Sequence, residues 1–278
     1  MTPRLDSSEI SNELYRVKVE VRPGGRPPPR VVINRDHTGG RFEVPQGGRV
    51  EFQNVRFTDV DFRRLRFDLF VGSGSVFTGC DFRDVRFAAG HLGNLSQTVY
   101  HACRFDRAHL AGVDPLYARF ERCSFDDADL MQWRAFQAEF VECHFRGRIV
   151  EAKFGGKLGD AAAARIQPPR IKNEFRGNDF RQATLVDCSF FDGMDLTAQL
   201  LPTGPEYILL DNIRGRIRRA RADISRWGDD RTRGEALLML RVYESVSRGQ
   251  DQLFARRDDI GTPAPLRDKV WDLLRQAL

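Results

Sequence analysis

Four absences narrow the reading of this chain before any pattern is considered. No run among its 278 residues approaches the roughly 20 consecutive apolar residues that a spanning helix needs, and a mean hydropathy of −0.46 excludes a membrane-embedded bulk. Residues Met1 to Ile10 hold no apolar stretch of the secretory kind, so a cytoplasmic protein is expected. The patterns HExxH, CxxC, GxSxG and GxxxxGK(S/T) do not occur, which removes the usual signs of zinc, thiol-redox, serine-hydrolase and phosphate-loop chemistry. Lysine is scarce, at five against 39 arginines, a bias that codon usage explains as well as phosphate binding does.

The net charge of +5 is also not where a nucleic-acid site would put it. It divides into +3 for residues 1–49, −2 for 50–146, +1 for 147–200 and +3 for 201–278. The middle is close to neutral, and the one arginine cluster, Arg214–Arg233, reads equally well as a solvated helix face. Direct nucleic-acid binding is therefore not expected.

What is present is a period of five. Phe52, Phe57, Phe62 and Phe67 share a frame that Phe77, Phe82, Phe87 and Leu92 continue. After a three-residue shift, Leu95, Tyr100, Phe105, Leu110, Phe120, Phe125, Leu130, Phe140 and Phe145 hold a second frame, interrupted at Pro115 and Ala135. Phe175, Phe180, Leu185 and Phe190 resume it after a gap, so that 15 of the 21 phenylalanines lie on these positions. Helices repeat every 3.6 residues and strands every 2, so this is neither. Two residues before the large residue stands a small one, as at Cys80, Cys103, Ala108, Ala118, Cys123, Ala128, Ala138, Cys143, Ala183 and Cys188. All five cysteines occupy that slot.

Ala128-Asp129-Leu130 and Cys80-Asp81-Phe82 resemble the A(D/N)LXX pattern of pentapeptide-repeat proteins, over roughly residues 50–147 and 173–197. The resemblance implies an all-β solenoid, a right-handed quadrilateral parallel β-helix with four five-residue sides per coil. Cys103, Cys123 and Cys143 are 20 residues apart, and Cys80 precedes Cys103 by 20 plus the frame shift. Four cysteines are thus expected to stack in one buried, inert column as thiols.

Three domains are expected. Residues 1–49 form an N-terminal capping segment, with candidate strands at Val17–Val21 and Val31–Ile33 and a degenerate coil at Phe42. Residues 50–200 form the β-helix, with a loop insertion at 147–172. Residues 201–278 form a helical segment, with one stripe at Ile213, Ile217, Ala220, Ile224 and Trp227, a second helix over Arg231–Phe254 presenting Met239, Val242, Tyr243 and Val246, and a last amphipathic helix.

The insertion's Lys153, Lys157, Arg165, Arg170 and Lys172 are candidate partner contacts, since a long insertion in a compact repeat is more often functional or disordered than neutral, the alternative being a solvated flexible loop. Leu266, Val270, Trp271 and Leu274 form a candidate self-association face, giving a homodimer through the C-terminal segment. His109 and His144 precede inward residues and are expected to face solvent, so no catalytic, metal or cofactor residues and no small-molecule substrate are assigned. The expected function is a non-catalytic protein-interaction or regulatory scaffold. One alternative, implied by the resemblance, is a DNA-mimic modulator of type II topoisomerase giving quinolone or toxin tolerance, although the coil region lacks the acidic excess this requires. The other is a module that associates with a membrane surface through its C-terminal helices.

Overall fold

The period of five becomes a four-sided column. A computed structural model describes residues 30–247, 249–261 and 263–276; the candidate strand Val17–Val21 lies outside them. Most sides are a strand of two or three residues whose central side chain points inward, and many corners are turned by a left-handed residue two positions later. Asn54, Asp59, Arg64, Asp84, Ala102, Arg107, Arg122, Asp127 and Glu142 take this role with φ between 51° and 60°, and Gly74, Gly79, Gly147 and Gly177 do so without a Cβ penalty.

The coils stack as parallel sheets. One side is a seven-stranded sheet running from His37–Thr38 through Arg56–Thr58, Val76–Thr78, Val99–His101, Arg119–Glu121 and Glu139–Val141 to Phe175–Arg176. Its register steps by 20 residues, as in Phe57↔Phe77 and Tyr100↔Phe120, by 23 in Phe77↔Tyr100, and by 35 in Phe140↔Phe175. The candidate strand Val31–Ile33 is present and pairs with Val50–Phe52. Phe42 is buried and lies 5.1 Å from Phe62.

Inside, identical residues stack on one another. Phe62, Phe82, Phe105, Phe125, Phe145 and Phe180 form one ladder, with successive ring centroids 4.3–5.2 Å apart and planes within 8° of parallel. Offset stacking of this kind adds to the ~1.5–3 kcal/mol that burial of each ring contributes. Cys80, Cys103, Cys123 and Cys143 form the expected ladder; the Cys103 thiol donates to Phe77 O at 3.3 Å, that of Cys123 to Tyr100 O at 3.3 Å, and that of Cys143 to Phe120 O at 3.4 Å. Burial raises all three thiols well above the ordinary cysteine value.

Two sequence readings need correction here. The repeat does not stop at 147: Ile149, Ala152 and Phe154 are buried in the column. One side is a residue short, so Arg134 pairs with Lys153 at a spacing of 19 and the five-residue frame is lost although the coil is complete. Leu95 does not enter the column but sits in the extra residues of the frame shift, half-buried. At the interruption, Ala135 takes the central slot and Trp133 the small one, both buried, so the two volumes are exchanged. Trp133 Nε1 donates to Val113 O at 3.0 Å.

The C-terminal segment closes the column. A two-stranded sheet pairs Tyr207–Leu210 with Leu253–Arg256 in antiparallel register. It lays Phe254 against Phe190 at 6.2 Å, and Tyr207 stacks on Phe254 at 5.4 Å. Edge amides that a further coil would satisfy find side chains instead. Met194 N donates to Gln250 Oε1, Leu196 N to Gln252 Oε1 and Asp187 N to Asp259 Oδ2.

Packed with this strand pair, three helices surround a second core: α2 (Ile213–Ile224), α3 (Asp230–Val246) and α4 (Ala264–Gln276), a shorter helix, α1 (Asp160–Ala163), lying earlier in the insertion. The expected helix over 231–254 ends at Val246, because Ser247 Oγ turns back onto Tyr243 O and Gly249 takes a φ of +70°. Its buried face is Ala236, Met239, Leu240 and Tyr243, while Val242 is exposed.

Candidate functional site

The two irregularities of the repeat meet in space. The extra residues 93–98 and the insertion 156–172 leave the column at the same corner and pair with each other. Gln97 N donates to Gln167 O at 2.9 Å, and Gln167 N to Leu95 O at 2.8 Å. Beneath them lies a buried polar network. Gln97 Nε2 donates to Glu139 Oε2 at 2.8 Å, Glu174 N donates to Glu139 Oε1 at 3.0 Å, and the Arg119 and Arg170 guanidinia both lie 3.4 Å from Glu139 Oε2. Asn173 Nδ2 donates to Phe136 O at 2.9 Å and to Gly155 O at 2.7 Å, binding the end of the insertion to the column.

This network reassigns one predicted contact residue. Arg170 is turned inward onto Glu139, and burial lowers its guanidinium pKa below the ordinary arginine value. Lys153, Lys157, Arg165 and Lys172 remain exposed. Lys157 and Lys172 face each other across an antiparallel bridge within the insertion, and Arg165 follows α1.

Lys153 and Lys157 line a groove of about 450 Å³ with Phe136, Gln137, Ser189 and Phe191 from the column and Ser245 and Val246 from α3. Phe136 and Phe191 are half-buried with ring centroids 5.5 Å apart. They occupy outward positions, one residue past the central slot, that on other sides hold Arg63, Arg83, Asp106 and Asp126. Sequence reasoning missed them because both fall one residue outside the inward frame. The signal available was an aromatic residue in an outward slot.

The second predicted site is corrected outright. Leu266, Val270, Trp271 and Leu274 are buried against α2 and α3 in the helical core. Ile213, Ile217, Ala220 and Ile224 are buried in the same core. These faces are covered within the chain, so neither presents an open apolar stripe. Among the described residues, no helix is long and apolar enough to cross a membrane.

Several ionisable groups elsewhere are arranged in pairs. Along another side, Arg63 pairs with Asp61 at 2.9 Å, Arg83 with Asp81 at 2.6 Å, Arg107 with Asp84 at 2.9 Å and Arg181 with Asp179 at 2.7 Å. The hydrogen bond from Arg63 holds the Asp61 carboxyl down at about 2. His144 Nδ1 lies 2.6 Å from Asp126 Oδ1 on the surface. His91 is half-buried beside Asp114; burial lowers the imidazole and raises the carboxyl, so each is pushed toward its neutral form. No group of three or more potential metal ligands occurs among the described residues.

No protein-family model matches the sequence, and a search of curated proteins finds no match. Similar solved structures are repeat solenoids. The chain is similar to QnrB1, a plasmid-mediated fluoroquinolone resistance protein, with 16% identity over 62% of this chain and 88% of that one and a TM-score of 0.26. It is also similar to HetL, a pentapeptide repeat protein involved in heterocyst differentiation regulation from the cyanobacterium Nostoc sp. Strain PCC 7120, with 13% identity over 72% and 94% and a TM-score of 0.22. The pentapeptide-repeat assignment rests on this chain's own period and coil geometry.

Proposed function

We propose that this protein is a non-catalytic interaction scaffold, acting in the cytoplasm, whose β-helix is a rigid frame and whose contact surface is assembled at one corner of it. The observation that carries this reading is the coincidence of both breaks in the repeat at one corner, beside a groove that the helical segment completes. The column itself is filled with stacked rings and thiols and leaves no room for substrate. Buried thiols of raised pKa are poor nucleophiles, and five unpaired cysteines suit a reducing compartment.

A type II topoisomerase is the partner class suggested by the resemblance to pentapeptide-repeat proteins. A DNA-mimic surface needs an unbroken run of carboxylates, whereas the carboxylates of Asp61, Asp81, Asp84 and Asp179 are each matched by an arginine. The charge pattern therefore favours a protein partner of another kind. Affinity capture from nuclease-treated lysate, comparing the full chain with its Lys153→Glu/Lys157→Glu variant, tests the scaffold reading. A stoichiometric partner supports it, and no partner under any condition contradicts it. A supercoiling assay unchanged at large molar excess of the protein removes topoisomerase from consideration.

A further inference from the structure

We propose that the groove between the column, the insertion and α3 receives an acidic peptide segment of the partner, with an apolar or aromatic side chain seated on Phe136 and Phe191 and flanking carboxylates on Lys153 and Lys157. The inference rests on the scaffold reading and names the chemistry of what the scaffold holds.

Charge decides the class of occupant. Lys153 and Lys157 are exposed, and neither forms an ion pair among the described residues. By contrast, Arg63, Arg83, Arg107 and Arg181, on or beside the opposite side of the column, are each paired with a carboxylate. The one acid lining the groove, Asp192, forms no ion pair with either lysine among the described residues, and its Oδ1 lies 2.9 Å from where a Cβ at Gly249 would stand, beside the turn after α3. No arginine lines the groove among the described residues. The planar fork that favours phosphate is thus missing, and two ammonium point charges suit separate carboxylates.

Shape decides the rest. Half-buried rings 5.5 Å apart on the floor form an apolar shelf, while the rim is polar. At about 450 Å³ the groove accommodates a few side chains rather than a folded domain. Its walls are already held in place. Gly155, between Phe136 and Phe191 in the stack, admits no side chain, since a Cβ there would stand 2.6 Å from Phe136 O. The insertion is fixed by Glu139, Arg170 and Asn173. A preformed site loses little ordering entropy when its ligand binds.

The test uses the full chain and a fluorescein-labelled peptide, Glu-Glu-Phe-Glu-Leu-Glu, followed by anisotropy at physiological salt. Lys153→Glu/Lys157→Glu is expected to weaken binding by roughly tenfold or more, and Phe136→Ser to weaken it without changing its salt dependence. A charge-reversed peptide, Lys-Lys-Phe-Lys-Leu-Lys, is expected to bind the Lys153→Glu/Lys157→Glu variant more tightly than the wild type. An Arg64→Glu/Arg86→Glu variant, which reverses as much charge at a distant corner, is expected to leave acidic-peptide binding unchanged. Equal loss in both charge variants shows attraction to overall charge and overturns the proposal, as does binding indifferent to Phe136. If a partner captured from lysate is retained equally by the wild type and the Lys153→Glu/Lys157→Glu variant, the groove assignment fails while the scaffold reading stands.

Discussion

The column and the helical segment are both well-packed cores, but they are built on opposite principles. In the column each ring rests on its counterpart one coil away, Phe105 on Phe125 and Phe120 on Phe140, so every coil depends only on its neighbours. In the helical segment Trp271, Tyr243, Ile217 and Leu240 meet once, from three successive helices with no repeat to relate them. A repeated core tells the reader where each residue points. A unique core shows only that some face is apolar.

That contrast predicts unequal responses to damage. The largest effects are expected from Phe120→Ala and Trp271→Ala, each about 3–5 kcal/mol from lost burial and a residual cavity. Hydrogen exchange is expected to rise mainly in the coils adjoining Phe120 in the first case, and throughout α2, α3 and α4 in the second. Uniform exchange in both variants breaks the comparison.

Next is Glu139→Gln. It removes the charge that Arg119 and Arg170 share below the insertion, at a cost of about 3 kcal/mol, as expected when one partner of a buried pair is lost. Limited proteolysis is expected to open residues 156–172 before the column. Smaller again is the small-slot test, read by thermal melts. Cys123→Leu overpacks a filled ladder and is expected to cost about 1–3 kcal/mol, more than Cys123→Ala. Equal melting of the Leu variant and the wild type contradicts the inward assignment.

The smallest effect belongs to the surface pairs. Asp61 has a folded pKa of about 2 against an ordinary 3.8. Its contribution is therefore fully present above about pH 4 and is lost as pH falls toward 2. Surface pairs of this kind contribute under about 1 kcal/mol. Arg63→Ala is expected to return the carboxyl toward 3.8, which a side-chain NMR titration reads directly.

The same contrast explains what was legible beforehand. The inward phenylalanines and the 20-residue cysteine spacing are read from the sequence itself, and the four sides from its resemblance to pentapeptide-repeat proteins. The coil through Ile149 and Phe154 was hidden by one missing residue, because counting in fives cannot register a side of four. The candidate site was half legible. Lysines in an insertion drew notice, but nothing in the sequence says that Arg170 folds inward onto Glu139, or that residues 93–98 and 156–172 meet at one corner. The self-association face failed for a simpler reason: an amphipathic stripe at Leu266, Val270, Trp271 and Leu274 is the same whether its cover is another chain or α2 and α3.

The C-terminal segment is the column's cap and one wall of its groove rather than a tethered module. Thermal unfolding of the full chain against a chain ending at Thr203 tests it most directly. Loss of Phe254, Tyr207, Gln250 and Gln252 from the last coil is expected to lower the column's Tm by about 10 °C or more. An unchanged Tm for the shortened chain contradicts the claim.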